Sequence, residues 1–399
     1  MKRVIRWPSV VAGTLLFTLW GCGSSGSGGM TAAGGTGTLQ VSMTDAAPCG
    51  FDQVNVTVSS IRVHQSATAN SNNPGWSDIT LTPPKKINLT ALMNGTLDEL
   101  GQTPLPAGHY TQLRLVLAPN SPAEPLNNSV VPAGSETEIP LKTPSAAQSG
   151  LKLIHQFTVA DGSLVDLVLD FDACRSIVTT GNGGYLLKPV IRVIPTVVSG
   201  EITGSVDPAI AGSNPMVYAE LGGQVVKSTI PNQDGSFILS PLQQSSAVGN
   251  YDVVITADNH ATAAIHSVPV TAQGDSIVST SGAPIQLVAS ATHSVSGTVT
   301  PVNAEATVRA TQTFASGPTI EVRSVTATLS DGTYLMTLPT GDPLLGDFGD
   351  GTLPVTLAAD STIAGHYLLE ASADGYQTQS TPIDLTAGDL TDQDFALTP

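Results

Sequence analysis

The chain has 399 residues, of which 12% are charged and 5% aromatic, while glycine and proline are frequent. This composition favours an all-β protein of short strands joined by turns, and the length suffices for two to three domains with their own cores. The chain has 15 basic and 32 acidic residues. It therefore lacks the excess of lysine and arginine that displaces counterions from phosphates, which argues against nucleic-acid binding.

The first 22 residues have the pattern of an export signal. A basic start precedes an apolar segment at 10–20 that is too short to span a membrane. The segment ends in Leu19-Trp20-Gly21-Cys22, which resembles the lipobox of bacterial lipoproteins. The resemblance implies acylation of Cys22 and a membrane anchor in the bacterial cell envelope, and Gly23 favours the outer membrane. The alternative is an ordinary secretory signal in which Cys22 has no role.

Residues 23–36 are rich in glycine and serine, which predicts a flexible tether. Once Cys22 carries lipid, Cys49 and Cys174 remain, and an oxidising compartment favours a disulfide between them. The alternative is two separate buried thiols.

Alternating apolar residues from 37 to 197 predict successive strands, with one short helix at 89–100, and therefore an N-terminal antiparallel β-sandwich domain. The strings TLQVSMTDAAPCGFDQVNVTVSSIRVH, LPAGHYTQLRLVL, SGLKL, LDFDACRSIV and YLLKPVIRV occur in this order. Together they resemble the domain of unknown function 4382 family, found in secreted and lipid-anchored bacterial proteins. TDAAPCG departs from the tighter TDAP of that family. The resemblance implies a domain and no activity.

The remainder contains two similar units, at 198–290 and 291–399. Each has an S-G-x-V-like opening strand, an Asp-Gly turn at Asp234 or Asp331, and a later strand that begins at Tyr251 or Tyr367. The Asp-Gly pairs predict turns between strands, and the matched tyrosines predict packing positions. The layout resembles carboxypeptidase regulatory-like domains, which implies two small prealbumin-like sandwiches with a carbohydrate-binding-like fold. No peptidase activity follows, because the catalytic domain that such modules accompany has no counterpart in the sequence.

Three acids are candidates for chemistry. Asp170 and Asp172 alternate along a strand and therefore share a face, and a Cys49–Cys174 disulfide would bring Asp45 beside them. Three carboxylates could bind Ca²⁺ or supply an acid and a base. The alternative is a strand end with solvent-facing acids and a side chain that caps a turn. A second acidic segment, 341–351, lacks the spacing of a calcium loop and is interpreted as a solvated excursion between strands.

Motifs for zinc hydrolysis, a serine nucleophile elbow or nucleotide binding do not occur in the sequence. Trp76 follows a turn and is a candidate for stacking on a sugar ring, with a core position as the alternative. The leading hypothesis is a non-enzymatic lipoprotein that binds a carbohydrate or an envelope protein. The alternative is a structural spacer in an envelope assembly, and a hydrolase built on Asp45, Asp170 and Asp172 is the least favoured.

Overall fold

The structure is a computed structural model that describes residues 35–46, 50–144, 149–153, 155–180, 183–349 and 351–399. The predicted signal segment, most of the predicted tether, Cys22 and Cys49 lie outside the described residues. We name residues 37–197 the N-terminal domain, 198–290 repeat 1 and 291–399 repeat 2. The fold is all-β, as predicted. No helix in the described ranges is long and apolar enough to cross a membrane.

The N-terminal domain is built around one hydrophobic core, to which a four-stranded and an eight-stranded sheet contribute. Its helices are one 3-10 turn, Leu89–Leu92, and α1, Ala173–Ser176. The strands are β1 (Thr36–Asp45), β2 (Phe51–His64), β3 (Ser77–Asn88), β4 (Asp98–Pro106), β5 (Gly108–Tyr110), β6 (Gln112–Leu117), β7 (Ser129–Pro132), β8 (Ile139–Lys142), β9 (Leu151–Leu153), β10 (Phe157–Val159), β11 (Leu164–Phe171), β12 (Ile177–Thr179), β13 (Tyr185–Leu187) and β14 (Ile191–Pro195).

Two details of this domain differ from the sequence prediction. The four-stranded sheet has the order β14-β11-β1-β4, and β1 pairs with β11 in parallel, so the domain is not purely antiparallel. The predicted helix at 89–100 is wrong. Only its first four residues form a 3-10 turn, which ends where Met93 adopts an extended conformation. Asn94 and Gly95 then have positive φ angles, and β4 begins at Asp98.

The strands of the two repeats are β15 (Ser199–Ser205), β16 (Met216–Leu221), β17 (Gln224–Thr229), β18 (Ser236–Gln243), β19 (Tyr251–Thr256), β20 (Ala263–Val268), β21 (Asp275–Ile277), β22 (Thr292–Thr300), β23 (Thr307–Thr313), β24 (Thr319–Thr326), β25 (Thr333–Pro339), β26 (Leu344–Asp347), β27 (Ala358–Ala359), β28 (His366–Ser372), β29 (Gln379–Asp384) and β30 (Phe395–Ala396). A 3-10 turn at Thr196–Val198 joins the N-terminal domain to repeat 1. Repeat 1 also contains a 3-10 turn at Pro208–Ser213 and helix α2 at Ser245–Val248, and repeat 2 has a 3-10 turn at Val302–Ala304.

The two repeats have matching sheet orders. In repeat 1 they are β18-β15-β21 and β17-β16-β19-β20, and in repeat 2 they are β25-β22-β30 and β24-β23-β28-β29.

The Asp-Gly turns have the predicted role in both repeats. The Asp331 carboxylate accepts a hydrogen bond from the Thr333 backbone amide at 3.0 Å, and Asp234 does the same for Ser236 at 3.0 Å. The aromatic residue that follows each turn is buried in the core of its repeat. Tyr251 and Tyr367 are also buried, which confirms their packing role.

Strand β26 connects the two repeats. It belongs to the sequence of repeat 2, yet it pairs in parallel with β20 of repeat 1, with Ala263 opposite Leu344. Leu344 is buried in the core of repeat 1, and Phe348 packs against the same core. The interpretation of 341–351 as a solvated excursion is therefore wrong in its main point: the segment extends the sheet of its neighbour.

We expect Gly332→Ala to be more destabilising than Gly375→Ala, although both glycines have left-handed φ angles, 74° and 81°. A Cβ at Gly332 would lie 2.4 Å from the Val299 carbonyl oxygen, whereas a Cβ at Gly375 meets no atom within 4 Å. Gly375→Ala should cost about 1 kcal/mol for the left-handed backbone, and Gly332→Ala roughly 2 to 4 kcal/mol because the clash adds to it. Urea unfolding monitored by circular dichroism measures both, and equal losses would contradict this account.

Candidate functional site

The predicted acidic residues lie at one end of the N-terminal domain, where β1 and β11 finish side by side. The parallel register places Thr44 opposite Asp170 and Asp45 opposite Phe171. Asp45 and Asp170 are thus brought together by strand pairing. Both are almost completely buried, at 0% and 4% exposure, so the expectation of solvent-facing acids is wrong for these two.

A lysine from the next domain enters this acidic end. Lys227, on β17 of repeat 1, is 2% exposed and bonds through Nζ directly to Asp170 Oδ1. Its Nζ also donates to the Asp45 backbone carbonyl at 3.0 Å. Because an isolated buried charge is very costly, this pairing requires the two domains to stay docked.

The other two carboxyl groups have structural roles. Asp45 Oδ1 accepts from the Ala173 amide at 3.0 Å, while its Oδ2 has no hydrogen-bond partner within the described residues. Burial raises the pKa of Asp45 well above its usual range and also raises that of Asp172. Asp172 does not continue β11; it caps α1 by accepting from the Arg175 amide at 3.0 Å.

These contacts change the interpretation of the predicted Ca²⁺ site. The ammonium group of Lys227 occupies the place beside Asp170 that a cation would take. Across the described ranges, no group of three or more His, Cys, Asp or Glu residues is arranged to hold a metal ion. The expected shared face of Asp170 and Asp172 is also lost, since the strand ends between them.

Further contacts hold repeat 1 against the N-terminal domain. The Arg192 guanidinium, on β14, donates to the backbone carbonyls of Val225 and Val226 beside Lys227. On the other side of the junction, Asn94 donates to the Ile230 carbonyl at 2.9 Å and accepts from the Thr229 hydroxyl at 2.9 Å. The junction is therefore rich in polar groups whose partners belong to the opposite domain.

A second polar junction joins the two repeats. Glu220, on β16, is fully buried, and its Oε2 accepts from the Glu321 backbone amide of repeat 2 at 2.8 Å. Burial raises the pKa of Glu220 well above its usual range. Nearby, Arg309 of repeat 2 donates to the Gly223 carbonyl at 2.8 Å and pairs with Glu370 at 2.6 Å.

A cleft of about 1480 Å³ lies where all three domains meet. Its walls include Phe51 and Lys188 from the N-terminal domain, Gln224 from repeat 1, and Arg309 and Asp374 from repeat 2. Apolar residues such as Leu151, Ile177 and Val325 also line it. Its other charged and hydroxyl-bearing residues include Lys152, Arg175, Glu305, Thr307, Glu321, Ser324, Thr326, Thr328, Ser372 and Thr378. The surface is thus partly apolar and partly polar, and it carries both signs of charge.

Trp76 is half-buried and is held by cationic neighbours. The guanidinium carbons of Arg62 and Arg114 lie 4.8 Å and 5.0 Å from the ring centroid, and the indole Nε1 donates to the Asn70 carbonyl at 3.0 Å. Cation–π contacts of this kind use the ring surface that a sugar would need. A ligand-binding role for Trp76 stays a prediction without support from its geometry.

The three cysteines are only partly described. Cys174 lies in α1 and lines the cleft. Its predicted partner Cys49 and the predicted lipidation site Cys22 both lie outside the described residues, so the disulfide and the anchor stay predictions.

Sequence reasoning missed Lys227, although one signal was available. Lys227 is the sole lysine or arginine between residues 198 and 290, and it directly follows Val225 and Val226. A basic residue that is buried on folding needs an acidic partner, and the buried acids of the preceding domain supply it. The pair joins two domains, and the sequence pattern of neither domain alone reveals it.

The comparisons with known proteins describe the N-terminal domain best. Residues 36–189 match a family model described as a domain of unknown function, DUF4382, in agreement with the predicted resemblance. A search of the curated proteins finds no match.

Among solved structures, the matches are β-sandwich proteins at low overall similarity. A type II cohesin–X-dockerin complex from Acetivibrio cellulolyticus is 27% identical over 23% of this chain, with a TM-score of 0.19, and the match spans 58% of that chain. The streptococcal ancillary pilin is 11% identical, covering 91% of this chain and 99% of the pilin, with a TM-score of 0.17. The major pilin BcpA of Bacillus cereus is 11% identical with the same coverage and a TM-score of 0.15.

We expect Glu220→Gln to stabilise the protein increasingly as the pH rises. Above the ordinary pKa of glutamate, 4.5, the unfolded chain ionises while the buried carboxyl resists ionisation, so the wild type loses stability with rising pH. Glutamine keeps the oxygen that accepts from Glu321 and has no proton to lose. The difference in the free energy of unfolding should grow by up to about 1.4 kcal/mol per pH unit above that value and vanish below it.

Urea unfolding between pH 4 and pH 8 tests this expectation, with Glu136→Gln on an exposed loop as the matched control. The control should shift little across the range. A Glu220→Gln variant that is less stable than the wild type at pH 8 would contradict the account.

Proposed function

We propose that this protein is a non-enzymatic, lipid-anchored envelope protein whose three β domains act as one stiff body and bind a partner protein in their shared cleft. The observation that carries the proposal is the cleft itself, because its walls come from all three domains. Such a site exists only while the domains keep fixed relative positions.

Stiffness is supported by the contacts between domains. Lys227 cannot leave Asp170 without exposing or isolating a buried charge. Strand β26 ties repeat 2 to the sheet of repeat 1 through backbone hydrogen bonds, one of which runs from the Leu344 amide to the Thr262 carbonyl at 2.8 Å. Backbone pairing of this kind resists the hinge motion that a simple linker would allow.

The non-enzymatic role is supported by how the candidate acids are used. Asp170 pairs with Lys227, Asp172 caps α1, and Asp45 accepts from a backbone amide. All three are engaged in contacts that maintain the fold. None of the three lines the cleft, although Cys174 and Arg175 of α1 do. The hydrolase hypothesis therefore loses the residues on which it depended.

The chemistry of the cleft favours a protein over a carbohydrate. Sugar sites use exposed aromatic faces, whereas the aromatic residues Phe51 and Tyr185 in the described lining of this cleft are partly buried and pack edge to face against each other, with ring centroids 5.5 Å apart. Lys188 and Glu305 form an ion pair between the N-terminal domain and repeat 2 within it. Mixed charges of this kind suit a polar protein segment that carries both signs as well.

The spacer role remains the second candidate. It is favoured by β26, because a strand shared between repeats gives stiffness whether or not a partner binds. The two roles differ in whether the cleft is occupied in the cell.

A photo-crosslinking amino acid at Thr326, an exposed position of the cleft, should link the full-length protein to one discrete partner in the producing cell. The same amino acid at Thr137, exposed and outside the cleft, is the matched control. Raising the salt concentration should lower the yield, because screening weakens contacts between exposed charges. No product at Thr326, or the same product at both positions, would favour the spacer role, and loss of the product on adding polysaccharide would indicate a carbohydrate occupant.

Cys22→Ser should release the protein from the membrane fraction, because the proposed acyl chains supply the anchoring energy. Phase separation in a non-ionic detergent measures this, with Ser24→Ala as the control that keeps Cys22. Retention of Cys22→Ser in the detergent phase would exclude lipid at this cysteine as the anchor.

A further inference from the structure

We propose that Lys227 and Asp170 become joined by an amide bond within the folded protein, an intramolecular isopeptide cross-link between repeat 1 and the N-terminal domain. The proposal concerns a covalent modification and does not depend on the proposed function.

The reacting groups already touch. Lys227 Nζ contacts Asp170 Oδ1, and both side chains are removed from solvent, at 1% and 5% exposure. A nucleophile and an acyl carbon held in contact replace a bimolecular encounter with an intramolecular one, for which effective molarities reach about 10⁵ M or more. The fold thus supplies proximity and orientation.

The step is a dehydration and needs no other reactant. One proton moves along the Nζ–Oδ1 hydrogen bond, which leaves an uncharged amine and an uncharged carboxyl group. The amine lone pair attacks Asp170 Cγ, the Nζ–Cγ bond forms, and a Cγ–O bond breaks. The departing hydroxyl takes a proton from the nitrogen, so an ammonium and a carboxylate become one amide and one water molecule.

The surroundings favour the amide over the ion pair. Two buried ions pay a desolvation penalty that a neutral amide avoids, and dry surroundings oppose the reverse hydrolysis. The amide retains one N–H, and the Asp45 carbonyl oxygen, which is 3.0 Å from Nζ, can continue to accept it. The product therefore leaves no buried donor without a partner.

Charged side chains on three neighbouring elements surround the pair. Burial raises the pKa of Asp45, at the end of β1, and that of Asp172, which caps α1. Arg192 of β14 donates to the carbonyls of Val225 and Val226. Asp170 is thus the acyl group that the amine contacts.

The test is a tryptic map of the full-length wild-type protein, reduced and fully denatured. Without the cross-link, trypsin cleaves after Lys227 and releases 193–227 and 228–309, together with 153–175, which carries Asp170. With it, cleavage after Lys227 is blocked, and 193–309 is found attached to 153–175 at the summed mass less one water. Fragmentation should locate the bond at Lys227 and Asp170.

Two controls make the map decisive. Loss of one water from the intact mass alone would not suffice, because Asp-Gly pairs such as Asp331-Gly332 can lose water by forming a succinimide. The exposed ion pair of Lys85 with Asp98, at 41% and 25% exposure, contains the same two residue types in contact and should stay unlinked. If this pair stays unlinked while Lys227 and Asp170 are linked, contact alone is not sufficient for the reaction and burial is also required.

Lys227→Arg keeps a cation at this position but cannot form the amide. Its map should contain 153–175 as a free peptide, and its melting temperature should fall below that of the wild type. Recovery of peptide 193–227 in full yield from the wild type would overturn the proposal. That result needs no variant, so a Lys227→Arg protein that fails to fold does not affect the decision.

Discussion

The buried contact between Lys227 and Asp170 constrains the rest of the molecule. Lys227 stands in the mixed strand β17, and in the docked domains its ammonium group is removed from solvent, where an unpaired charge would be very costly. The end of β1 and β11 supplies its partner Asp170 and a carbonyl acceptor from Asp45. The buried ion pair therefore restricts which faces of the two domains can dock.

The two repeats depend on each other in a different way. They share turn chemistry and sheet order, but repeat 2 contains an additional segment between β25 and β28 that has no counterpart in repeat 1. Part of this segment, β26, continues the sheet of repeat 1, while Val254 and Ala264 of repeat 1 lie in the core of repeat 2. A duplicated unit has thus become asymmetric, and the asymmetry joins the copies.

Local patterns in the sequence predicted the local structure well. The alternation around Val41, the Asp-Gly turns and the matched tyrosines Tyr251 and Tyr367 depend on neighbours close in sequence, so strand formation, turns and packing positions could be inferred. The partner of Asp170 is 57 residues away, and β26 pairs with a strand of the preceding repeat. Such contacts depend on which faces meet after folding, and composition carries little information about that.

The same junctions bear on how the cleft can bind a partner. Its walls come from the N-terminal domain and both repeats, and Lys227 and β26 join these domains through a buried ion pair and a shared sheet. A cleft with walls held in this way has its shape before a partner arrives. Binding then requires no reassembly of the site, so its entropic cost is lower.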